Sequence, residues 1–373
     1  MRQPGMGLRS EASGTLRVSI PINRGFSVWR ACLLVTCLVL GAAAPASAQR
    51  ANQVFIPAPG WDCGMPAGIP LPESGELILE IDIPLERLVH IGRTQYGDRQ
   101  VAVGLKGSAE GPNLTATVME GAVDFELTLV NGVVEIEQIL VLEAADGSFV
   151  LMRTAGVGPD ADDVRIVVDF EAPSESSHAW LSAGRFVARR ELPADDGDLV
   201  LRVYDVSGIE RNSATAIVIR KPADVPAQSW DYREKSAGEM QGEILITENV
   251  TLAPSQQVGP SKRGPRNIIP ITGGEISGRI SGKVLMGGAD YQNLSQPATI
   301  DARYLWQADD GEIIIVRNGG TFGSLVTTFE ARVDGPYAFL NDGSYLSSNP
   351  GPGQGGVALT FYESVGAESR SRE

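Results

Sequence analysis

The sequence predicts an all-β protein built from two tandem antiparallel domains, and three observations lead to this prediction. Short runs rich in β-branched residues recur along the chain and are separated by turn residues. The pairs Asn131-Gly132 and Asp146-Gly147 lie between apolar runs, which is the strongest short-range signal for a β-hairpin. Helix periodicity is nearly absent, and four blocks of sequence occur twice in the same order.

The first 48 residues predict a cleaved signal peptide. Arg24 and Arg30 precede an apolar run from Ala31 to Ala44, and Ala46-Ser47-Ala48 is a small-residue cleavage signal. A membrane anchor is the alternative, but a run of about 14 apolar residues is shorter than a spanning helix needs. We therefore expect a periplasmic or secreted protein whose mature N-terminus is Gln49, which mass analysis of the exported protein checks.

The charge of the chain disfavours two classes of partner. The 373 residues carry a formal net charge of −15, and removal of five arginines and one glutamate with residues 1–48 shifts it to about −19. Such an acidic protein is not expected to bind nucleic acid or an anionic membrane. Cys32 and Cys37 leave with the leader, so Cys63 is alone in the mature chain and no intrachain disulfide is expected.

Composition divides the chain into six segments. Pro and Gly concentrate before the first strand pattern and predict an extended arm, and Lys221-Pro222 marks a linker between the two domains. The predicted segments are a signal peptide (1–48), an arm (49–75), the first domain (76–206), a linker (207–237), the second domain (238–366) and a charged tail (367–373).

Sequence blocks in the two domains match in order, which predicts a tandem duplication with copies of about 130 residues. The matched blocks are Met119–Phe125 with Met286–Tyr291, Glu137–Gly156 with Asp301–Gly320, His178–Leu181 with Tyr337–Leu340, and Leu201–Asp205 with Leu359–Glu363. We expect the copies to pack as an intrachain pseudo-dimer, and a homo-oligomer stays open.

Both copies carry motifs of a known family. The second contains GPRNIIPITGG, MGGADYQ, IDARYLWQADDGEIIIVRNGG, GPYAFLNDG and VALTFYES, and the first contains MEGAVDFEL, EQILVLEAADGSFVLMRTAG, DDVRIVVDFEAP, HAWLSAGRFV and LRVYDVS. With these motifs the chain resembles the domain-of-unknown-function 3237 family over most of its mature length. The resemblance implies a small closed antiparallel barrel for each copy, similar to allene oxide cyclase and dirigent barrels, and it implies no particular activity. The first copy departs from the pattern, since Glu137-Gln138-Ile139 replaces Asp301-Ala302-Arg303.

An acidic residue and two arginines form the first candidate site. Asp301 and Arg303 are two residues apart on a predicted strand, so both side chains project from one face. Arg317 lies on the partner strand, beyond the turn at Asp309-Asp310-Gly311. A three-residue loop would put the two arginines on one face, and a two-residue loop on opposite faces. We interpret the group as a pocket in a barrel mouth that holds an oxygenated ligand, the alternative being an ion pair that closes the barrel.

Asp290 is the second acidic candidate. It follows a glycine pair and recurs as Asp124 in the first copy. A pocket that raised its pKa would make it a general base, while its glycine neighbours favour a simple turn former. The predicted catalytic residues are therefore Asp301 and Asp290. The predicted ligand-binding residues are Arg303, Arg317, Tyr337, Trp306, His178 and Trp180, with barrel core as the alternative for the aromatic ones.

Other chemistries find little support in the sequence. Two scattered histidines and a lone cysteine do not favour a His/Cys zinc site, while an oxygen-rich cation site stays open. No G-x-S-x-G occurs, and Gly278–Val284 has the wrong spacing for a P-loop, so no cofactor is expected.

Two function hypotheses from different classes follow. The first is a cofactor-independent isomerase, cyclase or lyase acting on an apolar or aromatic oxygenated compound. The alternative is a non-catalytic ligand carrier or a structural pseudo-dimer. Because only the second copy keeps Asp301 with Arg303, we expect that copy to carry the ligand. Arg303→Ile should then abolish function with little change in melting temperature, and Arg153→Ile should leave function largely intact.

Overall fold

The structure is a computed structural model and describes residues 69–366 except 159, 193–196 and 210–234. The predicted signal peptide and the C-terminal tail lie outside the described residues, as do most of the predicted arm and linker. No helix in these described ranges is long and apolar enough to cross a membrane. Strands form most of the described chain and its helical segments are at most four residues long, so the prediction of an all-β protein is confirmed.

The first set of strands lies between residues 76 and 205. It comprises β1 (Glu76–Ile83), β2 (Leu85–Arg93), β3 (Asp98–Gly104), β4 (Gly107–Glu110), β5 (Thr115–Val118), β6 (Val123–Thr128), β7 (Val134–Ala144), β8 (Phe149–Gly158), β9 (Arg165–Glu171), β10 (Phe186–Glu191) and β11 (Leu199–Asp205). Short helical segments accompany it: the 3-10 turns Pro72–Ser74 and Ala161–Asp163 and the single helix α1 (Trp180–Ala183).

The second set lies between residues 240 and 365. It comprises β12 (Met240–Leu252), β13 (Gln256–Ser261), β14 (Gly264–Gly278), β15 (Gly282–Val284), β16 (Ala289–Asn293), β17 (Thr299–Ala308), β18 (Ile313–Thr321), β19 (Val326–Glu330), β20 (Tyr345–Ser347), β21 (Gly351–Gly353) and β22 (Gly356–Val365). A 3-10 turn at Ala338–Asn341 precedes β20.

Each set closes into an antiparallel barrel of eight strands. The ring of the first barrel is β7-β5-β4-β1-β11-β10-β9-β8, closed by the β7–β8 pairing, and β6, β3 and β2 extend the sheet from β7. The ring of the second is β12-β14-β15-β17-β18-β19-β20-β22, closed by β12–β22. Full closure leaves no free sheet edge in either ring. The predicted fold, two tandem antiparallel barrels, is confirmed.

Side-chain alternation along the strands fills each barrel with a separate core. In the first barrel the core is mostly aliphatic, with Ile81, Leu140 and Leu142 at its centre. In the second it is aromatic, because Trp306 packs against Phe329 and Phe361 with ring centroids 5.0 and 5.3 Å apart. The two copies therefore share a backbone plan but differ in the chemistry of their interiors.

A third hydrophobic core lies between the two barrels. It is formed by outward-facing side chains, including Phe125, Ile139 and Leu151 of the first copy and Leu305 and Ile315 of the second. Strand β7 is consequently buried along almost its whole length, since one face lines its own barrel and the other meets the neighbouring copy. Strands buried on both faces lack the apolar–polar alternation that would reveal which face is which.

The barrels also approach each other closely at a glycine pair. The Gly288 backbone N–H donates a hydrogen bond of 2.9 Å to the carbonyl oxygen of Gly121 in the other copy. A Cβ on Gly287 would lie 2.4 Å from Cγ1 of Val103, so a larger residue there would push the barrels apart. Gly287 and Gly288 also have positive φ angles of 119° and 73°, which L-residues rarely adopt.

Candidate functional site

Arg303 and Arg317 lie opposite each other on β17 and β18. Their side chains share a face with Leu305 and Ile315, which pack in the core between the barrels. The two arginines are therefore on one face, the outcome that sequence left open, and this face is the outside of the barrel. The interpretation of a pocket in a barrel mouth is wrong for them, because only the tertiary packing decides which face of a doubly buried strand is the interior.

These arginines join acidic and basic residues from both copies. Arg303 donates hydrogen bonds to Asp301 from Nε (2.9 Å) and Nη2 (3.0 Å) and from Nη1 to Glu137 of the first copy. Arg153, also of the first copy, donates to Asp301 across 3.4 Å. We call the five residues Glu137, Arg153, Asp301, Arg303 and Arg317 the interbarrel network. The first copy therefore supplies two of the five members, although the sequence pattern had placed the acid–arginine group in the second copy; that the second copy carries the ligand stays a prediction.

Electrostatics in the network keep its carboxylates ionised. Burial by itself raises the pKa of Asp301, but the guanidinium groups of Arg303 and Arg153 outweigh it and hold that pKa well below its usual range. The pKa of Glu137 is lowered in the same way, against burial, by Arg303, Arg317 and Arg153. A carboxylate with a lowered pKa is a weak base, so this environment suits Asp301 to binding rather than to proton transfer.

Little space exists inside the network itself. A cavity of about 10 Å³ beside it has room for one water molecule at most. It is lined by Arg99, Phe125, Glu137, Arg303, Ile315, Arg317 and Glu330. Its chemistry is that of a buried interface ion-pair cluster, and Asp301 alone reaches an open surface.

The aromatic candidates occupy structural positions. Trp306 is fully buried at the centre of the second barrel, and Trp180 packs edge-on against Phe186 at 6.1 Å between ring centroids. His178 lies 3.2 Å from a carboxylate oxygen of Asp146, and Tyr337 donates to Asp310 across 3.0 Å. His178 and Tyr337 thus make the same contact in the two copies, tying the segment before a short helical turn to a hairpin turn. The structure does not bring these four residues to the arginines.

Asp290 lies in a polar layer inside the second barrel. Strand pairing sets Asp290 against Ala302, Ala302 against Asn318, and Asn318 against Thr327. Asn318 accepts hydrogen bonds from Thr327 (3.0 Å) and Ser347 (2.9 Å). This layer separates the aromatic core from the end of the barrel where β16 stops and β17 starts, which we call the open end.

The carboxyl group of Asp290 has different hydrogen-bond partners from that of Asp301, and its pKa shifts in the opposite direction. It accepts a side-chain hydrogen bond from Gln292 Nε2 at 2.7 Å, and its buried Oδ1 meets no well-aligned donor in the described part of the chain. Burial, helped by the nearby charge of Asp301, raises the pKa of Asp290 to about 7, while the Gln292 hydrogen bond opposes the shift. Asp290 and Ala302 are half-buried as residues, although Oδ1 of Asp290 is itself covered. We call the space bounded by Asp290, Gln292 and Ala302 the recess.

The equivalent position in the first barrel is closed. Asp124 and Gln138, the counterparts of Asp290 and Ala302, are each only 1% exposed. Arg190 donates to both carboxylate oxygens of Asp124, at 2.7 and 2.8 Å, and Gln138 donates to Oδ2 at 2.5 Å. Every acceptor of this aspartate is therefore satisfied by its own chain.

A groove opens at the same end of the second barrel. Its volume is about 790 Å³, within the range typical of small-molecule sites. Asp301, Arg266, Tyr291 and Glu239 lie in its wall, together with the small or polar residues Lys235, Ser236, Gly238, Asn293, Thr299, Ile300, Gly319, Gly320, Thr321, Ser324 and Val326. Ile300 pairs with Gly320 two residues beyond the Ala302–Asn318 pair, so the groove begins about 7 Å from the recess.

Sequence reasoning also missed a carboxyl group inside the second barrel. Glu248 on β12 lies in the core of the second barrel, where Tyr304 Oη and Trp306 Nε1 donate to it at 2.6 and 2.9 Å. Burial raises its pKa to about 7 against these two hydrogen bonds. A glutamate between Ile246 and Val250 in a period-two strand pattern was the available signal, because it interrupts an otherwise apolar face.

Metal ligation finds no geometric support in the part of the chain that the structure describes. Within it no group of three or more His, Cys, Asp or Glu side chains is arranged to hold an ion. The carboxylates that do cluster are neutralised by arginines or by burial.

Relatives of the chain are UPF0311 proteins. A UPF0311 protein of Bradyrhizobium diazoefficiens is 45% identical over 64 residues, which are 17% of this chain and 42% of that protein. A UPF0311 protein of Rhodopseudomonas palustris strain TIE-1 is 36% identical over 84 residues, 22% of this chain and 55% of that protein. The chain thus spans about half the length of the curated relatives it matches.

Solved structures resemble single copies of the repeat. A protein of unknown function from Clostridium acetobutylicum matches with 23% identity and a TM-score of 0.32, over 35% of this chain and 98% of that one. A β-barrel-like protein from Acinetobacter baumannii matches with 19% identity and a TM-score of 0.31, over 35% and 94%.

A family model described as Protein of unknown function (DUF3237) matches residues 74–206 and 240–327. The first segment covers the first barrel and the second segment lies within the second barrel. Because these segments together make up more than half of the chain, the protein belongs to this family and contains it as two tandem copies.

Proposed function

We propose that this protein binds a small oxygenated molecule in the recess of the second barrel, reached through the groove at the open end. The observation that carries the proposal is the contrast between equivalent positions. Asp290 and Ala302 are half-buried, whereas Asp124 and Gln138 are sealed from solvent. Of these two equivalent aspartates, only Asp290 keeps a carboxylate oxygen that meets no donor in the described part of the chain.

The surroundings suit an oxygenated ligand. Oδ1 of Asp290 is available to accept a hydrogen bond, and the carboxamide and hydroxyl groups of the polar layer lie across the same strands. Asp301 adds an ionised carboxylate in the wall of the groove. A few polar groups converging on a concave site are typical of small-molecule binding. The leader sequence further supports a periplasmic or secreted location for such a protein.

Native mass spectrometry of the full-length exported protein tests this proposal. We expect a co-purified small molecule, or a hit from a library of oxygenated compounds, whose binding is lost in Ala302→Leu because the added side chain fills the recess. Thr154→Val, in the closed polar layer of the first copy, is the matched control and should bind like the wild type. Unchanged binding by Ala302→Leu, or no ligand by either method, would overturn the proposal.

A second candidate function is proton-transfer catalysis at the same site. A carboxyl group whose pKa lies near 7 is matched to general acid–base work at neutral pH, and Asp290 has this property. The probe is 5-nitrobenzisoxazole: the carboxylate takes its ring C–H proton, the C–H electron pair forms the nitrile, and the N–O bond breaks to release a nitrophenolate. We expect Asp290→Asn to fall to the buffer rate. Equal rates for this variant and the wild type would leave a binding protein without catalysis.

A further inference from the structure

Because the chain is duplicated, the recess of the second barrel can be compared with the equivalent position in the first. Strand pairing runs Asp124–Gln138–Thr154 in the first barrel and Asp290–Ala302–Asn318 in the second, with the same register across three strands. The two aspartates therefore occupy the same place in the same fold, and the differences between their surroundings are differences of side chain.

In the first barrel a guanidinium group fills this place. Arg190 of β10 reaches across the barrel and donates to Asp124 through Nε and Nη2 and to Glu126 through Nη1, at 2.7 to 2.8 Å. The fork of the guanidinium matches the two carboxylate oxygens, which is the strongest common form of this ion pair.

In the second barrel the cation is missing and its counterpart points elsewhere. Ala188 and Ser347 pair with the equivalent residues Val203 and Phe361, so two residues further on the counterpart of Arg190 is Asn349. Asn349 is exposed, and its side-chain oxygen accepts a hydrogen bond from the Gly323 backbone.

Two further replacements change the groups beside the carboxyl group. Gln138 becomes Ala302, which removes a side-chain amide from beside the carboxyl group. Glu126 becomes Gln292, which donates to Asp290 and leaves Oδ1 without a donor among the described residues. The second copy thus keeps the acceptor and loses the group that satisfied it.

We propose that the recess of the second barrel takes the guanidinium group of its ligand, in the position that Arg190 occupies in the first barrel. The inference rests on the proposed function, whose binding site it shares, and adds the charge of the ligand. A cation there would pair with a half-buried carboxylate, where the effective dielectric is lower than in water. The ionised Asp301 in the groove wall favours the same sign of charge.

Calorimetric titration of the full-length protein with agmatine and with N-carbamoylputrescine tests the inference. The two probes share a chain and a terminal ammonium group, but agmatine ends in a guanidinium group and the other probe in a neutral urea of similar shape. We expect agmatine to bind at least tenfold more tightly. Asp290→Asn should remove that difference, because the carboxamide keeps the shape of the side chain and loses its charge.

A second variant keeps the charge and closes the space. Ala302→Gln copies the first barrel at this position and should abolish binding of agmatine, while Gln138→Ala in the first copy should leave it unchanged. Equal affinity for the two probes, or agmatine binding that survives Asp290→Asn, would overturn the inference. If neither probe binds while an unrelated molecule binds in a manner blocked by Ala302→Leu, the charge assignment fails and the proposed binding function stands.

Discussion

Glu248 is a carboxyl group inside an aromatic core, and its protonation is coupled to folding. Its neighbours Tyr304 and Trp306 both donate to it, but no cation lies among the causes of its pKa shift. Burial therefore dominates, and the folded protein holds the proton up to about pH 7. In the first barrel the positions in register are the aliphatic Ile81, Leu140 and Leu142, which have no such cost.

Glu248→Gln should weaken the pH dependence of stability. A folded-state pKa of about 7, against the usual glutamate pKa of 4.5, means that the folded state binds the extra proton between these values. The wild type should therefore lose stability as pH rises from 4.5 to 7, by a contribution of about 3 kcal/mol from this group. Glutamine can still accept from Trp306 and is neutral throughout. Urea unfolding at several pH values measures the free energy of unfolding of both proteins. The same pH dependence in the wild type and the variant would contradict the raised pKa of Glu248.

Asp290 and Asp124 should respond in opposite ways to the same substitution. Asp124→Asn leaves the buried Arg190 with Glu126 alone and should cost about 3 kcal/mol. Asp290→Asn removes a carboxylate without a cationic partner whose raised pKa makes ionisation unfavourable, so at pH 8 it should be neutral or stabilising by about 1 kcal/mol. Because the folded and unfolded states differ in the protonation of Asp290 only between its usual pKa of 3.8 and about 7, this gain should shrink as the pH falls through that range and vanish below it. Equal losses of unfolding free energy in the two variants, measured by urea unfolding, would show that the two aspartates have the same structural role.

At the scale of the element, the two faces of β17 pack in two different cores. Tyr304 and Trp306 point into the barrel, and Arg303 and Leu305 point towards the other copy. Arg303 is only 2% exposed and is held by carboxylates from both copies. Removal of one partner from such a buried ion pair leaves the other charge buried and unpaired. This destabilises the folded protein.

Arg303→Met should therefore destabilise the protein by about 3 to 5 kcal/mol, since it leaves Glu137 buried beside fewer cations. This outcome differs from the sequence-based expectation that replacing Arg303 affects function with little change in melting temperature. The double variant Glu137→Leu/Arg303→Met removes both charges and should recover most of the loss. A double-mutant cycle by urea unfolding measures the coupling, and a coupling near zero would assign the arginine to ligand binding instead.

At the scale of the whole molecule, the barrels are joined by an apolar core as well as by ion pairs. Arg266 of the second copy donates to Glu171 of the first at 2.7 and 2.8 Å, and Arg99 of the first donates to Glu330 of the second at 2.8 and 2.9 Å. These pairs lie outside the interbarrel network. Separating the copies would expose the apolar face and leave several buried charges without partners.

The full chain should consequently unfold in a single cooperative transition. Calorimetry should give equal calorimetric and van't Hoff enthalpies for the two barrels together. Leu305→Glu places a charge in the core between the copies and should lower the melting temperature of both, because neither barrel keeps its covered face. Exposed Leu294→Glu is the control and should have little effect. Two separate transitions in the wild type would contradict this coupling.

The sequence by itself determined the strand-rich class, the duplication and the family, because these depend on local patterns: turn residues, β-branched runs and repeated blocks. It also paired Asp301 with Arg303, since residues two apart on a strand share a face. It identified Asp290 as a candidate but not the difference from Asp124, which depends on Arg190 more than sixty residues away.

Only the tertiary structure decided which face of each strand is the interior. Side-chain alternation has a period of two whichever face is buried, and strands covered on both faces give no polar side to orient them. For that reason the arginines expected in a barrel mouth lie between the barrels, Trp306 lies in a core, and Asp290 lacks the arginine partner that Asp124 has. Burial and counter-charges from distant strands set the ionisation of these groups, and both arise when the two barrels close and pack together.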